Sequence, residues 1–209
     1  MLNVMKKIAS GICAGICICM GGAVFLACAA EGQKYLGAVL FCVALVCICY
    51  KGYSLYTGKI GYIPEKHGKE ELSVLLLGLL GNGIGVTLGG WGIRYALPAL
   101  GDKAEEICNL KLAQEIPGIL IRGIGCGILM YLAVSIFRDS KTPLGILFCI
   151  PVFILSGFEH SIADFFYFAC SGIVSLKACG YIWLVILGNS IGSFLLPLLS
   201  MTGKEKSNG

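Results

Sequence analysis

The 209-residue chain is 57% hydrophobic and 13% charged, about half the charged share of a soluble globular protein. Most of it therefore cannot face water. Its net charge of +4 sits largely in short breaks between apolar runs, which excludes the basic face of a nucleic-acid binder.

Apolar runs of about 20 residues count membrane spans. Lys6 and Lys7 precede the first run, 8–30. That start imitates a secretory signal, but the run is too long and Glu31 follows where a cleavage site would stand. A retained first span is expected. Five more segments follow, over 35–55, 72–97, 116–137, 144–170 and 181–201. Each can cross about 30 Å of hydrocarbon at about 1.5 Å per residue. Short alternating strands are lacking, so the expected fold is all-α, with six transmembrane helices in a single domain over 1–209.

The segments repeat. Gly11-Ile12-Cys13-Ala14-Gly15-Ile16 in the first span matches Gly123-Ile124-Gly125-Cys126-Gly127-Ile128 in the fourth. Gly81-Asn82-Gly83-Ile84-Gly85 in the third matches Gly188-Asn189-Ser190-Ile191-Gly192 in the sixth. Both matches pair a span with the third one after it. A three-helix unit ends across the membrane from its start, so its tandem copy is inverted. Two inverted repeats are expected, about 8–98 and 112–201. The second and fifth spans then correspond, and both carry polar interruptions, at 51–58 and 156–161. Interrupted spans in corresponding positions point to a binding site near the midplane.

Lys and Arg give the orientation. With the N-terminus inside, the cytoplasmic segments hold Lys6, Lys7, Lys59, Lys66, Lys69, Arg138, Lys141, Lys204 and Lys206. The outer loops hold Lys34, Lys103, Lys111 and Lys177. Both termini are expected in the cytoplasm. Most of the 12 cysteines lie inside apolar runs and are expected to pack as small hydrophobes. Cys17-x-Cys19 and Cys47-x-Cys49 lack zinc-site spacing. Neither a metal nor a cofactor is expected. Arg94 and Arg122 fall near span ends, where snorkelling or loop anchoring is expected.

Glu159 and His160 stand in the apolar fifth span, between Phe153 and Leu155 on one side and Phe165 and Phe166 on the other. Ionisable groups at that depth are costly and usually functional, and His changes charge near neutral pH. A neutral structural histidine is the competing reading.

Gly157-Phe158-Glu159-His160-Ser161-Ile162-Ala163 resembles the signature of the formate/nitrite transporter family. Gly81-Asn82, Gly188-Asn189 and Leu55-Tyr56-Thr57 fit the same resemblance, as does Lys111 ahead of the fourth span. The resemblance covers nearly the whole chain. It implies an aquaporin-like fold with broken second and fifth helices, assembled as a homo-pentamer with one pore per protomer. It implies a central pore His160 close to Thr57. Phe41, Leu45 and Phe153 would line hydrophobic constrictions, with Tyr56 at the inner one. Periodicity alone would assign Phe41, Leu45 and Phe153 to ordinary packing. Lys111 would draw anions into the outer vestibule, Glu159 would orient backbone, and Asn82 and Asn189 would hold the broken helices.

The chain departs from the family pattern at Asp164, where the family often has Asn, and at Gly127, where an Asn usually follows the Cys. Both departures bear on selectivity. The expected function is transport of a small monovalent weak-acid anion across the inner membrane, by channel or proton-coupled carriage. Formate or nitrite leads, with hydrosulfide, acetate and lactate behind. A neutral-solute pore of the aquaporin kind would want Asn-Pro-Ala half-helix motifs, which are missing. A membrane enzyme using Glu159 and His160 would want more polar flanks, and a non-transporting assembly protein would show no uptake.

Overall fold

The computed structural model describes the backbone of residues 2–205 and the side chains of residues 2–201. Its regular structure is helical. α1 (Leu2–Ala30) crosses first and turns at Gly32 into α2 (Lys34–Leu40). Phe41 keeps helical dihedrals, φ −57° and ψ −26°, so α2 runs on into α3 (Cys42–Lys51). Gly52 then ends α3 with φ 70°, a left-handed conformation that costs glycine little. The chain stays extended to Leu55 and restarts as α4 (Tyr56–Lys59), followed by a 3-10 turn, Ile60–Tyr62.

α5 (Lys69–Ala96) is followed by α6 (Pro98–Leu112), α7 (Ile116–Ser140) and α8 (Leu144–Leu155). Gly157, φ 72°, repeats the exit seen at Gly52. α9 (Ser161–Ser171) and α10 (Leu176–Glu205) complete the chain. The structure therefore ends the second expected span at Lys51 and divides the fifth into α8 and α9. α8, with 12 residues, is about 18 Å long and too short to cross alone.

α6 forms where the sequence pattern predicts only a loop. Pro98 sets its first turn. Gly101, Ala104 and Cys108 form its buried side, while Asp102, Glu105 and Glu106 keep it charged elsewhere. Among the described residues, five stretches are long and apolar enough to cross a membrane: Leu2–Ala30, Lys34–Lys51, Lys69–Ala96, Ile116–Ser140 and Leu176–Met201.

α1 packs along α5, and α7 along α10. The glycines read as repeats make both contacts. A Cβ on Gly15 would lie 2.7 Å from the Asn82 carbonyl oxygen, and one on Gly188 would lie 2.8 Å from that of Leu120. Backbones this close gain dispersion contacts, which hold helices together where lipid removes the hydrophobic drive. The outer faces carry exposed Leu80, Leu88, Phe148, Trp183 and Leu187, a surface suited to lipid. All 12 cysteines are free thiols.

Two fully buried asparagines fasten the interruptions. Asn82 Oδ1 accepts from the Tyr56 N–H at 2.9 Å, while its Nδ2 donates to the Gly11 and Ser54 carbonyls at 2.9 and 2.8 Å. Asn189 Oδ1 accepts from the Ser161 N–H at 2.9 Å, while its Nδ2 donates to the Gly123 and Glu159 carbonyls at 2.9 and 2.8 Å. Each amide joins the start of a short helix, the extended chain before it, and a neighbouring long helix. Leucine at Asn189 would strand three buried backbone groups, at about 1–3 kcal/mol each. Asn189→Leu is expected to lower the thermal midpoint in detergent by several degrees. An unchanged midpoint would show that the amide does not hold the break.

Candidate functional site

The two interruptions bring Thr57 and His160 together. Gly52 and Gly157 turn the chain, and the asparagine amides fix where α4 and α9 restart. Thr57 is the second residue of α4, and His160 is the N-cap of α9. His160 Nδ1 accepts from the Ala163 N–H at 3.1 Å. The neutral ring therefore carries its proton on Nε2, which donates to Thr57 Oγ1 at 2.8 Å. Phe153 stacks on the imidazole, with ring centres 5.7 Å apart and planes 19° from parallel. Thr57, Phe153 and His160 are all buried.

A cavity of 440 Å³ opens beside α6, lined in part by Phe41, Phe153, His160, Lys111, Glu159 and Asp164. A second, of 290 Å³, lies beside α4 and is lined in part by Leu45, Leu55, Tyr53, Lys59, Arg138 and Lys141. The two share no lining residue. Phe41 and Leu45, one helical turn apart, line one cavity each. Tyr56 and Thr57 line neither; the Tyr56 hydroxyl shares a hydrogen bond with Ser190 Oγ at 2.8 Å. Asn82 and Asn189 also stand behind the cavities, at the interruptions.

The electrostatics of the α6-side cavity centre on Lys111. Its ammonium donates to Glu159 Oε2 and pairs with Asp164 Oδ1 at 2.8 Å. Gln114 Nε2 donates to Glu159 Oε1 at 2.9 Å. The side chains of Lys111, Glu159 and Asp164 are 12%, 5% and 2% exposed, so water screens them little. Burial alone would lower the lysine pKa; the Asp164 and Glu159 carboxylates outweigh it and hold the pKa above the ordinary lysine value.

The ammonium expected to attract anions is thus already shared by two carboxylates. The α4-side cavity differs: Lys59, Arg138 and Lys141 line it, and Asp139 meets Arg138 at 3.7 Å.

Lys111's partnership with Asp164, the contribution of Gln114 and the grouping of the α4-side cations all escaped the sequence reading. One signal was available: Asp164 stands four residues after His160, on the same face of α9. Arg94 and Arg122 anchor segment ends, the second of the two roles expected of them. Arg94 donates to the Cys170 and Ser171 carbonyls at the end of α9, and Arg122 to the Gly157 carbonyl after α8. Both satisfy carbonyls left over at helix ends.

Long apolar helices, two interruptions meeting at a buried histidine and a cavity on either side define a multi-pass membrane protein of channel architecture. The chain belongs to the formate/nitrite transporter family, whose sequence profile matches residues 1–202. It is 31% identical over 192 residues to formate-nitrite transporter 2 of Toxoplasma gondii, covering 82% of this chain and 42% of that protein. It is 27% identical to a formate-nitrite transporter of Plasmodium ovale, covering 77% of this chain and 61% of that protein. The chain thus spans about half the length of these relatives.

The fold matches that of an FNT family ion channel with TM-score 0.82 and 20% identity, over 93% of this chain and 88% of that one. A pentameric formate channel with formate bound is similar at TM-score 0.75 and 20% identity, over 99% and 98% of the two chains.

Proposed function

We propose that the chain carries a small monovalent weak-acid anion, formate or nitrite foremost and hydrosulfide next, between the two cavities and past the Thr57–His160 pair. The observation that carries this reading is a titratable ring, hydrogen-bonded to a hydroxyl, at the meeting point of two interrupted segments, with Phe153 stacked on it and Phe41 lining the same cavity. An anion pays heavily to leave water for such a place, whereas its neutral acid does not. The Thr57 hydroxyl can turn its hydrogen to an arriving anion because His160 Nε2 supplies the bond it accepts. A proton taken up at Nδ1 displaces the Ala163 N–H, and the anion's charge compensates that loss. Passing a proton from His160 to the anion restores a neutral ring, and Nδ1 accepts from Ala163 again once the remaining ring proton is back on Nε2.

In this reading residues 1–209 are one transmembrane domain of two inverted three-helix repeats, with broken second and fifth helices. The matching bond sets of Asn82 and Asn189 support it, as do the paired exits at Gly52 and Gly157. Likeness to a pentameric formate channel supports an assembly of five copies, each with its own pore. The Lys/Arg bias supports an inner-membrane protein with both termini cytoplasmic, which puts the α6 cavity outside. The side chains of Lys204 and Lys206, part of that bias, lie outside the described residues.

The test is proteoliposome uptake of formate, nitrite, hydrosulfide, acetate and lactate, with and without a pH gradient. At least one anion should enter faster than in empty vesicles. Passage of glycerol with none of the anions would select a neutral-solute pore instead.

A further inference from the structure

The α6-side cavity holds a charge imbalance that the transport reading does not use. Glu159 and Asp164 bring two carboxyl groups to one ammonium, that of Lys111. Among the described residues no other cation lies within ion-pair distance of either carboxyl. With both ionised, the cluster carries one excess negative charge on the wall of a cavity meant for anions.

The geometry gives a way out. Asp164 is 1% exposed, and its Oδ2 has no hydrogen-bond partner among the described residues. Its carboxyl and that of Glu159 converge on the one Lys111 ammonium. A proton on either of them cancels the excess charge that burial makes costly and adds a donor to a site of acceptors. The other titratable groups facing Asp164 are Cys108 from α6, Cys126 from α7, Tyr181 from α10 and Tyr167 from its own helix. None of these thiols and phenols supplies a positive charge. Arg94 of α5 is committed to the far end of α9.

We infer that Glu159 and Asp164 hold one proton between them beside Lys111, and that this proton sets the charge an anion meets in the α6-side cavity. With it the cluster is neutral and anions are admitted; without it the cluster is anionic and repels them. The pair titrates as a unit. Asparagine at position 164 would remove the switch and leave the Lys111–Glu159 pair neutral at every pH in the working range. Asp164 is thus a second proton-holding position, distinct from His160. Its consequence for uptake rests on the transport reading; the proton itself does not.

Infrared spectroscopy of the purified full chain in lipid tests the proton directly. The wild type should show the C=O stretch of a buried carboxylic acid near about pH 7, fading as pH rises. Asp164→Asn should lack that band. Its absence from wild type across about pH 5 to 9, or its survival unchanged in the variant, overturns the inference. Should that variant not assemble, Asp164→Glu keeps the acid and should move the midpoint of the band; an unmoved midpoint overturns the inference equally.

Formate uptake then tests the consequence. The ratio of Asp164→Asn to wild-type uptake should rise at least about tenfold from about pH 6 to 9, as the wild-type cavity becomes anionic. A flat ratio overturns the gating role. Wild-type vesicles that admit no anion while the band is intact would sink the transport reading and support the proton site.

Discussion

His160→Asn should fold and assemble yet lose pH-dependent selectivity. Asparagine is among the best N-cap residues, so its side-chain oxygen can take over the bond from the Ala163 N–H that His160 Nδ1 accepts at 3.1 Å. Its amide can also donate towards Thr57 Oγ1. What it cannot do is gain or lose a proton in the working range. If anions pass beside the ring as proposed, proton binding and anion occupancy there must favour each other to the same extent. A step that needs the ring proton slows about tenfold per pH unit above its midpoint; the variant should show no such slope. Anions would then either stall at Phe41, Leu45 and Phe153 or pass without protons. Uptake of formate and nitrite by both proteins between about pH 5 and 8 decides the matter. The same rate and pH profile in each would make His160 a structural histidine.

Much of this arrangement is written locally in the chain. Glycine punctuates both interruptions, at Gly52 and Gly157, because the backbone there adopts positive φ. The 51–58 and 156–161 breaks are legible for that reason. The Gly-Asn pairs are legible too, since an amide in an apolar helix needs buried backbone groups to bond. Asn82 and Asn189 find equivalent ones.

Distance in sequence hides the rest. Lys111 reads as a loop cation, but α6 folds back and delivers its ammonium to Glu159 and Asp164, 48 and 53 residues away. Phe41, Leu45 and Phe153 look like any packing residues, because hydrophobic periodicity does not distinguish a cavity wall from a core. α6 itself gives a mixed pattern of charge and small residues, which carries no transmembrane signal.

The Lys111 cluster also yields the largest expected stability change. Lys111→Met keeps the length and apolar stem of the side chain and removes the ammonium. Glu159 would retain the 2.9 Å bond from Gln114, while Asp164 would lose its 2.8 Å ion-pair partner. Breaking a buried pair on one side typically costs about 3–5 kcal/mol, because the remaining charge is left without compensation. Protonation can reduce that cost. Without the cation both carboxyls favour the neutral form, so the variant should be closest to wild type near about pH 5 and fall furthest behind near about pH 8. The sign follows from linkage: groups that hold protons more tightly when folded contribute stability at low pH and lose it as pH rises.

Thermal midpoints at the two pH values, for wild type, Lys111→Met, Asp164→Asn and the double variant, close a mutant cycle. The double variant should recover part of the loss, since Asp164→Asn removes one of the two carboxyls that would be left without the ammonium. A Lys111→Met protein that melts with the wild type at both pH values would show that the cluster contributes nothing to holding α6 against α9.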